Sequence, residues 1–179
     1  FFLTMSSTAD KQYAIALFIL PKISCILSAL GSLMIISQVS RSQFNRTKPQ
    51  QRIMLGISVI DFQTSIVWIF TSFFMPSESE ALLATGNQKT CDAQGFVVQF
   101  SVAGVLYMCS LQFQYLLVIK YGWGERRIRN VEKWFHAVPI LFGGGTAIAA
   151  LVLEQYNAAN WDCWIAPSPP NCTSSYEGE

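Results

Sequence analysis

Four long stretches of this chain carry almost no charge. Residues 53–74 hold one charged residue, Asp61, and residues 95–119 hold none. Residues 138–153 also hold none, and extending that run back to 135 adds a single histidine, His136. Residues 13–39 hold only Lys22. A helix that crosses hydrocarbon needs roughly 20 mostly apolar residues, and four such runs fit within these 179 residues. Charged residues make up 13% of the chain, against about 25% in an ordinary soluble domain. Four helices apolar on every side, buried in one small soluble domain, would leave nothing to face water. The pattern predicts an all-α integral membrane bundle with four transmembrane helices, near residues 13–39, 53–74, 93–120 and 135–153, and a loop over 154–179. The formal net charge of +1 gives no reason to expect nucleic acid as a partner; the expected surroundings are a lipid bilayer.

The first run contains Pro21 and Lys22. Proline is tolerated in membrane helices, and a lysine near a helix end snorkels to the interface. The helix is therefore expected to begin before Pro21 and to project above the bilayer. A cleaved signal peptide does not fit, because the basic leading region is missing and the apolar stretch is too long.

Charge between the runs predicts orientation. Arg41, Arg46, Lys48 and Arg52 lie between runs one and two, without an acid. Lys120, Arg126, Arg127, Arg129 and Lys133 lie between runs three and four, against Glu125 and Glu132. The remaining connections hold Glu78, Glu80 and Asp92 with only Lys89, and then Glu154, Asp162, Glu177 and Glu179 with no base. The positive-inside bias assigns the two basic connections to the cytoplasm and the N-terminus to the outside.

Cysteine placement agrees with that orientation. Cys25 and Cys109 fall within helices, as small packing residues. Cys91, Cys163 and Cys172 fall on the expected outer, oxidising side. A bridge between Cys91 and Cys163 would clamp the outer loop over the bundle mouth. Cys172 is left over, to pair elsewhere or to compete with Cys163; three free thiols are the alternative. Asn171-Cys172-Thr173 is a glycosylation sequon on the outer side, whereas Asn45-Arg46-Thr47 is one on the inner side, where it stays bare.

Polar residues recur at helical steps. Ser58, Asp61, Ser65, Trp68 and Ser72 form one stripe, and Gln99, Ala103, Tyr107, Ser110 and Gln114 another. Such stripes point into a bundle, because lipid would strand their polar groups. Ser24, Ser28 and Ser32, like Gly143 and Ala147, have the small-residue spacing that lets helices approach. Ordinary packing is the expected role of the serines and glycines. Asp61 differs, since a carboxylate within a membrane helix is expensive and usually functional. It would bind a cation, relay a proton, or hydrogen-bond across helices. No catalytic set is present. His136 has no second histidine or cysteine at metal-binding spacing, and Gly143-Gly144-Gly145 lies inside a membrane helix, not after a strand.

The segment Leu55-Gly56-Ile57-Ser58-Val59-Ile60-Asp61 resembles the L-x-x-S-x-x-D pattern of seven-helix G-protein-coupled receptors. Cys91 at the head of helix 3 and Cys163 before Trp164 resemble the outer-loop disulfide pair of that family. The Cys163-Trp164 step and the Trp134 to Pro139 spacing look most like its secretin and cyclic-AMP-receptor branches. The stretches 87–96 and 161–167 are similar to receptor-like proteins of algae and other protists. Helix 3 ends Lys120-Tyr121, without the Asp/Glu-Arg-Tyr switch of rhodopsin-like members. The resemblance implies a chain covering four of seven helices, beginning at Phe1 and stopping at Glu179 in an outer loop.

It also implies a mode of action. An extracellular ligand would enter beneath the Cys163 loop, with Lys22, Trp68 and Trp164 as mouth residues. Asp61, Gln99, Tyr107, Ser110 and Gln114 would form the polar switch of the core. Arg46, Lys48, Arg126, Arg127 and Arg129 would face a heterotrimeric G protein, unless they serve only as topology anchors and lipid-headgroup contacts. The expected address is the plasma membrane. No enzyme activity and no cofactor are expected. A transporter or channel using Asp61, with Lys22 as a second pathway charge, is the alternative from another class. A small scaffold membrane protein is the third.

Overall fold

The computed structural model describes residues 8–43, 47–77, 84–159 and 162–167. Its elements are α1 (Thr8–Arg41), α2 (Pro49–Ile69), α3 (Thr71–Phe74), α4 (Gln88–Phe100), α5 (Val102–Ile119), α6 (Glu125–Val152) and the strands β1 (Tyr156–Ala159) and β2 (Asp162–Ile165). Four helices are long and apolar enough to cross a membrane: Phe18–Arg41, Pro49–Ile69, Gln88–Ile119 and Glu125–Val152. The chain is a helical membrane bundle. α1 packs along α2, α2 also meets α4, α5 and α6, and both α4 and α5 pack on α6.

Local chemistry accounts for the element ends. Pro49 starts α2 at a position where its missing N–H costs nothing. Asn87 caps α4 in a reciprocal box: its side chain accepts from the Thr90 N–H, and the Thr90 hydroxyl accepts from the Asn87 N–H. Gly122 closes the turn from α5 to α6 in the left-handed region, at φ 62°.

Helix 1 covers the expected 13–39 and extends at both ends, passing through Pro21 without a break. The other boundaries need correction. Residues 53–74 form two helices, not one, with a break at Phe70 between α2 and α3. Residues 93–120 are likewise split at Ser101, and the helix begins five residues earlier, at Gln88. Ser101 turns its hydroxyl onto the Val98 carbonyl at 2.6 Å, the back-bonding that bends helices. α6 begins at Glu125, ten residues before the expected start, so the basic stretch is helical. Part of the expected loop over 154–179 is an antiparallel hairpin, with Tyr156 opposite Ile165 and Ala158 opposite Cys163.

The core lies where the second, third and fourth spans converge. Ile53 and Ile60 of α2, Ala103, Tyr107 and Leu117 of α5, and Ile128 and Phe135 of α6 form one buried cluster. Along α6 the buried residues are Ile128, Glu132, Phe135, Pro139, Gly143, Ala147 and Ala150, at steps of three and four. On the opposite face Trp134, Leu141 and Ile148 are exposed. This is an arrangement that suits a lipid solvent, with large apolar side chains outward and the small and polar residues of α6 gathered inward beside Ile128 and Phe135.

Gly143 sets how closely α5 and α6 approach. A Cβ there would lie 2.7 Å from the Ala103 Cβ and 3.0 Å from its backbone nitrogen, whereas a Cβ at Gly145 would meet nothing within 4 Å. Gly143→Val is therefore expected to cost about 1–3 kcal/mol, read as a lower melting temperature in detergent. Gly145→Ala should leave melting unchanged or slightly raised.

Candidate functional site

Three groups of polar side chains link the helices, at the hairpin end, at midspan and at the basic end.

At the hairpin end, Cys91 in the first turn of α4 is bonded to Cys163 in β2, with Cα atoms 5.2 Å apart. Both cysteines are fully buried. Tyr156 of β1 sits against Gly95, where a Cβ would come within 2.5 Å of the tyrosine ring. Its hydroxyl donates to the Ala147 carbonyl of α6 at 2.9 Å, and the Gln88 amide donates to the Tyr156 carbonyl at 2.8 Å. Burial pushes the Tyr156 phenol above its usual pKa, so it stays a donor. The Trp164 indole N–H donates to Gln99 Oε1 at 2.8 Å, and Gln99 Nε2 donates to Thr146 at 3.2 Å. The hairpin is thus fixed to α4 and α6 by one covalent bond and several hydrogen bonds.

Lys22 and Trp68 were expected beside Trp164 at a ligand mouth. The Lys22 ammonium is bound to the Ile69 carbonyl at 3.0 Å and lies 4.5 Å from the Phe18 ring centre. The break at Phe70 explains that contact. In an unbroken helix the Phe73 N–H would bond to Ile69, but it bonds to Phe70 at 2.9 Å, which leaves the Ile69 carbonyl to the ammonium. Gln94 supports the same break from the other side. It is buried, and its amide donates to the Thr71 hydroxyl at 2.6 Å. Trp68 is half-buried near the same end of α2.

At midspan, Asp61 Oδ2 accepts from Ser28 at 2.7 Å and also from Ser32, both on α1. Packing alone was expected of these serines, yet they anchor the carboxylate. Asp61 also borders an open cleft of about 480 Å³ between α1, α2 and α5, where Ser58, Thr64 and Ser101 line the wall.

At the basic end, Arg52 of α2 makes a two-pronged contact with Glu132 of α6, with both N···O distances 2.5 Å. Glu132 is buried. His136, one turn on, brings Nε2 within 3.7 Å of Glu132 and places Nδ1 3.1 Å from the Tyr107 hydroxyl of α5. Arg52, Glu132, His136 and Tyr107 therefore join α2, α6 and α5 in one chain of contacts. Sequence reasoning did not single out Arg52 or Glu132.

The remaining switch and partner candidates are distributed among these layers. Of the five core candidates, Tyr107 belongs to this basic-end chain, Asp61 to midspan and Gln99 to the hairpin end. Ser110 bonds back to the Leu106 carbonyl of its own helix at 2.9 Å, and Gln114 is buried with its Oε1 unpaired. Arg126, Arg127 and Lys48 are exposed. Arg129 donates to the Thr47 carbonyl at 3.2 Å and lies 3.7 Å from Glu125. Arg46, Asn171 and Cys172 lie outside the described residues.

Two predictions follow the geometry. Removing the Glu132 carboxylate strands a guanidinium, so Glu132→Ala should lower stability by about 1.5–3 kcal/mol. Combining it with Arg52→Ala should cost clearly less than the sum of the single changes, measured by thermal unfolding of the purified protein. At the other end, burial raises the Asp162 carboxyl above its ordinary value of 3.8. A carboxyl raised in the folded state binds its proton more tightly there than when unfolded. Its effect is a stability gain as pH falls from neutral towards that value. Asp162→Asn should raise melting at neutral pH and remove this part of the acid gain.

No family model matches this chain, and no curated protein and no solved structure matches it.

Proposed function

We propose that the chain belongs to a receptor-like membrane protein that passes an extracellular signal to a heterotrimeric G protein. The hairpin end then faces outside, the basic end faces the cytosol, and the protein sits in the plasma membrane with Asn171 available for glycosylation. The observation that carries this reading is the fixing of the hairpin to the start of the third span, through the Cys91–Cys163 bond and the Trp164–Gln99 hydrogen bond. A ligand touching the hairpin acts on α4, and α4 continues through Ser101 into α5. α5 holds Tyr107, whose hydroxyl meets His136 and, through it, the Glu132–Arg52 pair. A ligand that binds one packing of these helices better than another shifts the balance between them. The exposed Lys48, Arg126 and Arg127 at the far end are the surface on which a partner would read that shift. The disulfide supports the orientation, because such bonds persist in oxidising surroundings.

One observation favours the alternative. Asp61 borders the cleft between three helices, as a carboxylate in a cation or proton path of a transporter would.

A reconstitution separates the two. Vesicles holding the protein with purified G protein should accelerate nucleotide exchange on the G protein. Tyr107→Phe and Glu132→Gln should change that rate, while Asp61→Asn leaves vesicle ion flux unaltered. Ion flux that depends on Asp61, with no exchange above empty vesicles, would replace the receptor reading with the transporter.

A further inference from the structure

The basic residues at one end of the bundle fall into two classes that their sequence does not distinguish. Arg52 is turned inward to the buried Glu132, and Arg129, although its side chain is 57% exposed, is engaged by the Thr47 carbonyl and by Glu125. Arg126 and Arg127 are exposed, and their side chains make no hydrogen bond or ion pair among the described residues. Lys133 is exposed too, and its ammonium lies 5.9 Å from the Trp134 ring centre.

The helical repeat places these outward residues. The buried stripe of α6 runs through Ile128, Glu132, Phe135 and Pro139. Arg127, Trp134 and Leu141 succeed one another at seven-residue steps on the opposite side, with Arg126 and Lys133 flanking them. Trp134 is 59% and Leu141 72% exposed, so this face meets lipid.

Depth follows from length. α6 has 28 residues, roughly 42 Å at 1.5 Å per residue, and hydrocarbon is about 30 Å thick. The part from 135 onward, which holds His136 but no Asp, Glu, Lys or Arg, fills the hydrocarbon. The first two turns then stand among the headgroups, with Trp134 at the boundary where tryptophan is favoured. Lys133 then stands at that boundary, above a ring that an acyl chain can cover, while Arg126 and Arg127 stand about 9–10 Å further out along the axis, where long side chains reach back to the headgroups.

We infer that this outer face of α6 is a binding surface for an anionic phospholipid. The headgroup phosphate sits between Arg126, Arg127 and Lys133, and the upper acyl chain lies along Trp134 and Leu141. The inference rests on the membrane architecture, and it gives to lipid two side chains, Arg126 and Arg127, that the receptor reading offers to a partner.

The test uses the whole chain, purified in detergent with equal amounts of phosphatidylcholine and phosphatidylglycerol. Native mass spectrometry then reads the lipid that remains bound. Phosphatidylglycerol should be retained in preference. Arg127→Gln and Lys133→Gln should each lower that preference roughly fivefold. Arg127→Lys should keep most of it, and Trp134→Ala should shorten retention of both lipids. Arg129→Gln, at a residue engaged by protein, should change nothing. Equal retention of the two lipids by the unaltered chain would overturn the inference. So would an equal loss in Arg129→Gln. Displacement of the lipid by inorganic phosphate alone would also overturn it, since that would mark a site for the free ion.

Discussion

Hydrocarbon supplies no hydrogen bonds, so a polar side chain between these helices is costly unless it finds a partner on another helix or on its own backbone, and apart from the Oε1 atoms of Gln94 and Gln114 the buried ones do. The bundle is organised by that constraint. Asp61 is met by two serines of α1. The Lys22 ammonium takes the carbonyl that the break in the second span releases. Glu132, buried on the inner face of α6, is met by Arg52 through both carboxylate oxygens. Thr64, Ser101, Ser110 and Thr146 bond back to carbonyls of their own helices. With hydrophobic driving force largely absent between helices in lipid, close packing at small residues supplies much of the remaining attraction. Gly143 against Ala103 is the clearest case.

These contacts divide the molecule into a fixed end and an adjustable one. The hairpin is held by a covalent bond, by Tyr156 against Gly95 and by hydrogen bonds to α4 and α6. The basic end is held by side chains alone, several of them ionisable. Breaking the Arg52–Glu132 contact leaves a buried carboxylate that needs another partner. A rearrangement of α2, α5 and α6 at the basic end has to exchange these side-chain partners, whereas one at the hairpin end has to work around a covalent bond.

The four spans were legible in the sequence because charge-free runs of this length have few other homes. The inward stripes were legible too: Ser58, Ser65, Ser72, Ala103, Tyr107 and Gln114 are all buried. The break at Phe70 was not, because no glycine or proline marks it; it is stabilised by Lys22 from α1 and Gln94 from α4, contacts distant in sequence. The early start of α6 was hidden because hydropathy reports where oil begins rather than where a helix begins. A signal did exist, since Ile128, Glu132, Phe135 and Pro139 continue the buried stripe backwards. Following it would have set an acid on an apolar face, in need of a base, and Arg52 was available across the bundle. Trp164 reads as a mouth residue from its place after Cys163, but its hydrogen bond to Gln99 depends on the strand register, which the sequence does not display.

The central claim is that the chain threads the bilayer four times, with hairpin and basic ends on opposite faces. Cysteine labelling in intact cells tests it most directly. In a Cys172→Ser background, Asn157→Cys on the hairpin should react with a membrane-impermeant maleimide from outside. Lys48→Cys, after the first span, should react only once the cells are permeabilised. Labelling of both positions from the same side would contradict the account.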